Sequence, residues 1–394
     1  MQPFIRHRTS TTLGLAQTVI FTDDSHDVDL ARTATAPPGN PPLPIDRMNP
    51  GHFLCASLLL FVNAAAPAAP KPIVWIYTDL SDKTIPGGNH MGTVNDPDDI
   101  SALAAYLLLA NEFDTRGIVV ASTHRQEHAR TPDQAAWADR TFGEAYRAEV
   151  AALNRRLGGY PADIRFLQSC IKESAETFAP EKSYASLEGY PTVRALLDEA
   201  RRETAGGIIN VLCWGSLTEP AILVHHCLAT GQEALLKKLR FIAHWTDSPL
   251  HQGSPEHPEN VANCREDARA CAFMKARARE GKIAYHECGA IGQHGIVSGS
   301  PKGAAYFDQF KVSRLGTIFA EGKFVYHSVD HSDSATYWVL LGTMGVTLAD
   351  LPPDGTNTAA RELANEKVFK GWSQRLHDEL LRRARAAAGI PTAR

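Results

Sequence analysis

Three aspartates lie within four positions of the segment "TVNDPDDISALAAYLLLANEF", which begins at Thr93: Asp96, Asp98 and Asp99. Carboxylates this close in sequence repel one another unless a positive charge lies among them. Hard cations such as Ca²⁺ bind oxygen ligands, mostly carboxylates, carbonyls and water, so the pattern is typical of a metal site. The alternative is structural, because an aspartate at a helix N-terminus stabilises that helix by about 1 kcal/mol as a cap.

The segments that surround these aspartates predict an α/β fold. From Lys71 onward, helix-length segments alternate with β-branched and aromatic runs such as "PIVWIYTD", "TRGIVVAST", "GGIINVLCWGS", "LRFIAHW" and "GKIAYHEC". Nearly continuous apolar strands separated by helices are typical of a mainly parallel sheet. We therefore predict a Rossmann-like architecture, a central sheet flanked by helices, with a long helix over 358–388.

Polar residues follow several of the predicted strands. In parallel α/β sheets, ligands bind beyond the carboxyl ends of the strands. The residues in such positions are Asp79, His124, Trp214, Asp247 and Glu287. We expect them to line one cleft, which the aspartates at the start of the following helix also reach.

These motifs together resemble the nucleoside hydrolase superfamily. The matching features are the strand that ends in Asp79, the Asp98–Asp99 pair, "NVLCWGSLTEPA", and the late "HSD" that ends at Asp333. The likeness covers roughly residues 72–345 and is greatest to the divergent, often secreted branch once described as cellulose-binding. The resemblance implies a nucleoside hydrolase-like fold and an enzyme that hydrolyses N-glycosidic bonds.

The resemblance also implies one Ca²⁺ and a particular catalytic apparatus. The implied metal ligands are Asp79, Asp98, Asp99, the backbone carbonyl of Trp214, and Asp333. Cleavage builds positive charge on the sugar, in an oxocarbenium-like state. Asp79 would act as the base that takes a proton from the attacking water. His331 would protonate the leaving group, with His327 and His124 as reserves.

Four residues are expected to bind substrate. The resemblance places His124 near the ribose and makes Asn263 the residue that holds the sugar hydroxyls. Asp247 is included because it follows a predicted strand. Glu259 is included because Val261 stands where well-studied relatives have a sugar-binding glutamate, and Glu256 is its alternative. The substrate would be a nucleoside or a related glycoside.

The inserted segment 80–95, "LSDKTIPGGNHMGTVN", distinguishes this chain from the family pattern. It separates Asp79 from the Asp98–Asp99 pair and must loop out and return, which costs little closure entropy. We expect it to lie over the mouth of the cleft. An alternative function is a secreted sugar- or polysaccharide-binding protein that retains the metal site without hydrolysis.

The N-terminal part of the chain reads as a leader and not as a folded domain. Residues 1–47 show no periodicity, and we interpret them as an extension that does not belong to the natural protein. Residues 48–70 resemble a signal peptide, since their apolar core of about ten residues is too short to span a bilayer. Residues 71–394 are predicted to form one nucleoside hydrolase-like domain that ends in the C-terminal helix.

This reading predicts a secreted or periplasmic protein without a stable membrane span. Six cysteines follow the predicted leader, and export would permit disulfides. The net charge of −4 gives no reason to expect nucleic-acid binding. We expect a small-molecule partner, and a homo-oligomer is compatible with the sequence.

Overall fold

The computed structural model describes residues 70–123, 125–204 and 206–391. Its central sheet contains β1 (Ile73–Tyr77), β2 (Asp114–Val120), β3 (Phe166–Gln168), β4 (Ile209–Cys213), β5 (Leu239–Ala243) and β6 (Ala284–Glu287). The strands lie in the order β3-β2-β1-β4-β5-β6, and every neighbouring pair is parallel. The predicted α/β fold with a mainly parallel sheet is confirmed.

Helices connect the strands and cover both faces of the sheet. Those before β4 are α1 (Asp98–Leu108), α2 (Gln126–Ala129), α3 (Gln134–Ala138), α4 (Glu144–Arg156) and α5 (Pro191–Arg202). Those between β4 and β6 are α6 (Thr218–Ala229), α7 (Glu233–Leu236), α8 (Ala262–Glu266) and α9 (Ala268–Arg279). Those after β6 are α10 (Ala304–Phe307), α11 (Arg314–Glu321), α12 (Ala335–Leu341) and α13 (Ala359–Ala387). Short π-helical segments occur at Asp139–Gly143 and Gly292–Val297.

The central strand β1 shows why helices pack against both faces of the sheet. Successive side chains of a strand point to opposite faces. Val74 and Ile76 therefore join one buried apolar cluster, and Trp75 and Tyr77 join another. Gly117 in β2 makes room for this arrangement, since a Cβ there would lie 2.8 Å from the Trp75 ring.

Helix α1 begins with the aspartate pair Asp98–Asp99. Every residue from Asp99 to Leu108 is buried, because the helix packs between the sheet and α11. Its N-cap residue is Pro97, which has no capping side chain, and Asp98 Oδ1 accepts from Asp99 N at 3.2 Å within the first turn. Neither aspartate is the N-cap residue and Asp99 is buried, so helix capping alone does not account for the pair.

Two further strands form a separate hairpin, β7 (Phe324–Val325) and β8 (Ser328–Val329), which are antiparallel. The proposed extension 1–47 and nearly all of the proposed signal peptide lie outside the described residues. The division of the chain into these segments and one domain stays a prediction.

Candidate active site and metal centre

The candidate site lies where the strand order of the sheet reverses, between β1 and β4. Ligands bind at this point in doubly wound sheets. Asp79 and Trp214 follow β1 and β4 directly, and both line a cleft of about 890 Å³. The described residues thus place two strand ends at the cleft, as expected from the sequence.

Three carboxylates converge in this cleft. Asp98, Asp99 and Asp333 each offer one oxygen, and the three atoms lie within 4.8 Å of one another. The buried Oδ2 of Asp333 has no hydrogen-bond partner in the described part of the chain. A buried carboxylate oxygen without a donor is costly, and a hard cation would satisfy it. We call these three residues the aspartate trio, and their donor set fits a divalent cation.

Asp79 lies against the aspartate trio without being one of its members. Its carboxylate shares a hydrogen bond with Asp99, and burial raises the pKa of Asp79 to about 7. Gly215 permits this position, because a Cβ there would lie 2.9 Å from Asp79. Burial and neighbouring carboxylates also raise the pKa of Asp99 and of Asp333. The site therefore concentrates negative charge that water does not screen.

Asn263 and the carbonyl of Trp214 meet at the cleft. Asn263 Nδ2 donates to the carbonyl oxygens of Trp214 (3.1 Å) and His244 (3.0 Å), which extend β4 and β5. Asn263 Oδ1 is then the atom available to accept a hydrogen bond from a sugar hydroxyl. The Trp214 carbonyl already has a donor, and its predicted role as a metal ligand stays a prediction.

The inserted segment 80–95 lies over the cleft, as expected. It turns back on itself through Gly87 N to Gly92 O (3.0 Å) and Asn89 N to Thr93 O (3.0 Å). Gly88 N donates to Glu127 at 2.8 Å, which fixes the loop to α2. The side chain of Asn95 then donates to the carbonyl of Asp79 and brings the chain back to the site.

The mouth of the cleft carries polar and aromatic side chains from three regions. Asn89, His90 and Met91 come from the inserted segment, and Trp245 follows β5. Tyr326, at the tip of the β7–β8 hairpin, is 83% exposed. The cleft therefore combines an acidic floor with an aromatic rim.

Lys323 is a cleft residue that sequence reasoning did not identify. Its Nζ lies 2.7 Å from Asp96 Oδ1, 2.9 Å from Asp330 Oδ2 and 3.6 Å from Asp98 Oδ2. Burial lowers the pKa of this ammonium, but Asp98, Asp330 and Asp96 raise it by more. No local motif marks Lys323, since it lies far from Asp96 in sequence and is joined to it only by the fold.

His331 does not reach the cleft, contrary to its predicted role as catalytic acid. It is fully buried, with Nδ1 3.0 Å from Ser334 Oγ and Nε2 3.0 Å from His377 Nε2. His377 Nδ1 lies 2.8 Å from the carbonyl of Ser373 and must donate to it. His331 Nε2 is then the donor to His377, and its Nδ1 accepts from Ser334. Both ring nitrogens are thus engaged in a neutral network outside the lining of the cleft.

Two of the expected substrate-binding residues also lie elsewhere. Asp247 and Glu259 line a neighbouring pocket of about 640 Å³. Asp247 Oδ2 is engaged by Lys275 at 2.8 Å. Glu259 is exposed and lies near His257. The structure does not bring either residue to the aspartate trio, and His124 lies outside the described residues.

Comparisons with known proteins agree with this fold. Residues 91–248 match the family described as "Cellulose-binding Sde182, nucleoside hydrolase-like domain". A nucleoside hydrolase-related protein of Saccharophagus degradans, associated with carbohydrate metabolism, has a similar structure. It is 15% identical, with 82% of this chain and 73% of that chain covered and a TM-score of 0.54. The resemblance to nucleoside hydrolases that the motifs indicated is confirmed.

Two further solved structures have lower TM-scores. The inosine-uridine preferring nucleoside hydrolase of Bacillus anthracis is 13% identical over 80% of this chain and 100% of its own, with a TM-score of 0.40. A plant nucleoside hydrolase is 16% identical over 76% of this chain and 79% of its own, with a TM-score of 0.38. No curated protein sequence matches this chain.

Proposed function

Because the chain carries a nucleoside hydrolase-like fold, we propose that it is a Ca²⁺-dependent hydrolase of N-glycosidic bonds. The substrate would be a nucleoside or a related glycoside. The observation that carries the proposal is the convergence of the aspartate trio at the switch point of the sheet. The unpartnered Oδ2 of Asp333 is the strongest single indication that a cation belongs there.

The proposed ligands are Asp98, Asp99 and Asp333, with Asp79 and the Trp214 carbonyl completing the set. Ca²⁺ prefers such carboxylate and carbonyl oxygens to nitrogen or sulfur ligands. A bound cation would supply Lewis-acid activation of water at neutral pH. The high local density of buried carboxylates supports the proposal, since these groups are costly to ionise without a counterion.

Asp79 is the proposed general base. A base works best when its pKa lies near the operating pH, and burial raises the pKa of Asp79 to about 7. Its carboxylate would take a proton from the water that attacks the anomeric carbon. The surrounding carboxylates would stabilise the positive charge that develops on the sugar, which Asn263 would help to orient.

His90 is the proposed proton donor to the leaving group, in place of His331. Among the described residues, His90, His244 and His294 are the histidines that line the cleft. Burial lowers the pKa of His244 and of His294 to about 4, so both are neutral at pH 7. His90 is the exposed one, and its Nε2 lies 3.8 Å from Asp96 Oδ2.

The variant His90→Gln tests this assignment through the leaving group. We expect a loss of about 10²-fold or more in kcat for nucleosides whose base must be protonated to depart. A 4-nitrophenyl riboside needs no proton on its leaving group and should be hydrolysed at nearly the wild-type rate. An equal loss with both substrates would argue against His90 as the acid.

Export is proposed from the N-terminal segment, and one structural feature supports it. Cys264 and Cys271 form a disulfide that joins α8 to α9, and disulfides persist in oxidising compartments. Within residues 70–391, apart from the two positions not described, no helix is long and apolar enough to cross a membrane. A homo-oligomer stays a prediction.

The decisive experiment measures calcium content and sugar release together. Purified protein would be assayed for bound calcium and for reducing sugar released from a panel of nucleosides. The variant Asp333→Asn should lose both, and Asp198→Asn, a change at a partly exposed position of α5 outside the cleft, should lose neither. No bound calcium in the wild type would contradict the proposed metal site.

Calcium binding without sugar release would favour the alternative, a sugar-binding protein that does not hydrolyse. The exposed ring of Tyr326 at the rim is the observation that favours this second function, since exposed aromatic rings present a flat apolar face to ligands. Binding to insoluble cellulose that is lost in Tyr326→Ala would support it.

A further inference from the structure

The acidic cleft has a second group of carboxylates beside the aspartate trio. Asp96 and Asp330 lie on either side of Lys323, whose Nζ is 2.7 Å and 2.9 Å from them. We call Asp96 and Asp330 the outer pair. Asp98 belongs to the trio but also lies 3.6 Å from Lys323 Nζ, so it links the two groups.

Lys323 is held in place by its backbone and not only by its charge. Lys323 N donates to Ser101 Oγ at 3.2 Å, and Lys323 O accepts from Asp330 N at 2.8 Å. The preceding Gly322 packs directly on α1, because a Cβ there would lie 2.7 Å from the backbone nitrogen of Ser101. The backbone of Lys323 is thus fixed to α1, the helix that carries Asp98 and Asp99.

The ammonium is also buried, which makes its pairing strong. Lys323 is 7% exposed and Asp330 1% exposed, so solvent screens their attraction little. Without Lys323, the carboxylates of buried Asp330 and half-buried Asp96 and Asp98 would face one another, and repulsion or a bound cation would have to follow. Oxygen donors at that spacing are the ligands that a divalent ion takes.

We propose that Lys323 is a built-in cation that occupies the place of one divalent ion, so that the cleft binds a single Ca²⁺ at the aspartate trio. The inference rests on the proposed function for the identity of that one ion. Lys323 is a positioning residue in this view, because it acts on the site through the outer pair and Asp98. Its removal should raise the number of bound ions by one.

The test compares calcium stoichiometry in the full-length wild type and Lys323→Met by isothermal titration at one pH and ionic strength. We expect one ion in the wild type and two in the variant. Lys323→Arg keeps the charge and should bind one. Lys302→Met removes an exposed lysine instead, whose Nζ donates to the carbonyl of Val297, and should also bind one.

The outcomes separate this inference from the proposed function. One ion in the wild type and still one in Lys323→Met would overturn the inference and leave the calcium site standing. None in the wild type and one in the variant would support Lys323 as the cation that takes the place of an ion, and would overturn both the calcium site at the trio and the calcium-dependent function. None in either protein would overturn both.

A second variant keeps the inference testable if Lys323→Met does not fold. Asp330→Asn retains the ammonium but removes one of its carboxylate partners, so more positive charge faces the trio. We expect about tenfold weaker calcium binding with unchanged stoichiometry, as one uncompensated charge nearby would produce in a partly buried site. Unchanged affinity would overturn the inference.

Discussion

At the scale of single residues, Asp79 occupies a position where two roles compete. It lies beside the aspartate trio, as a metal ligand would, and burial raises its pKa to about 7, as suits a base. The two roles predict different consequences when its charge is removed. If Asp79 is chiefly a ligand, its loss lowers the calcium content. If Asp79 is chiefly the base, its loss lowers turnover in protein that still binds the ion.

We predict that Asp79→Asn lowers kcat by about 10²–10⁴-fold while calcium affinity falls much less. The reason is that the trio retains three carboxylates and the amide oxygen of the new Asn can still bind the ion, but the attacking water loses its proton acceptor. The measurement pairs steady-state kinetics with calcium titration of the same sample. Asp79→Asn protein that loses calcium and activity in equal proportion would instead make Asp79 chiefly a ligand.

His331 illustrates how burial changes the role expected of a histidine. Burial lowers the pKa of His377 to about 4, and burial together with His377 lowers the pKa of His331 well below its ordinary value. Both rings are therefore neutral in the folded protein. Unfolding lets them take up protons below about pH 6.5, so acid favours the unfolded state.

A pH-dependent stability difference follows from this pair. The pKa of His377 is lower in the folded protein than in the unfolded chain. The neutral, buried ring therefore contributes its full stabilisation above about pH 6.5, and this contribution is lost as the pH falls toward 4. For His377 the loss at pH 5 is about 2 kcal/mol. His377→Asn should be less stable than the wild type at pH 7, because hydrogen bonds to Ser373 and His331 are lost, but the gap should narrow by pH 5.

Urea unfolding of both proteins at pH 7 and pH 5 measures that gap. The comparison must be a difference between proteins, since buried carboxylates such as Glu366, whose pKa burial raises to about 7, change stability in the opposite direction. A gap that stays constant with pH would show that His377 is not the titrating group.

At the scale of elements, the β7–β8 hairpin joins the rim of the cleft to a strained turn. Tyr326 and His327 connect its strands with φ of 50° and 63°, in the left-handed region. Two-residue hairpin turns of this shape favour Asn-Gly, and each other residue costs about 1–2 kcal/mol. Strain of this kind concentrates at functional sites, which agrees with the position of Tyr326 at the cleft mouth.

We predict that the double variant Tyr326→Asn, His327→Gly is more stable than the wild type by about 1 kcal/mol, since the turn strain is relieved. The same variant should bind substrate or sugar more weakly, because the exposed ring is gone. Tyr326→Phe keeps the ring and the strain, so its stability and binding should both match the wild type. Denaturant unfolding and ligand titration give the two readouts, and a less stable double variant would contradict the strain argument.

The elements also show how far sequence reasoning reaches. The five strands that read as apolar runs, β1, β2, β4, β5 and β6, are all present, because burial on both faces leaves a continuous signal. Strand β3 has three half-buried residues and the hairpin strands have two each, too few for any periodicity. Lys323 could not be identified from the sequence for a related reason. The positive charge that pairs with Asp96 belongs to Lys323, which lies far away in sequence. Only the tertiary structure brings the two side chains together.

At the scale of the whole molecule, the site depends on segments from both halves of the chain. Asp98 and Asp99 come from the first helix, whereas Lys323, Asp330 and Asp333 come from the region after α11. Neither half holds a complete set of charges. Metal binding is therefore expected to stabilise the folded chain as a unit, since an ion that binds only the folded state adds its binding free energy to stability.

The Cys264–Cys271 disulfide allows the proposed oxidising compartment of the protein to be tested. The bond closes a loop with a sequence separation of 7, between the helix that carries Asn263 and α9. We predict that reduction lowers the free energy of unfolding by about 2 kcal/mol, as chain entropy implies for a loop of this size. The double variant Cys264→Ser, Cys271→Ser should have the lower stability from the start and should not respond to reductant. Alkylation in denaturant followed by mass spectrometry, on protein expressed with its proposed leader, should find neither thiol free, and alkylation of both would contradict an oxidised, secreted state.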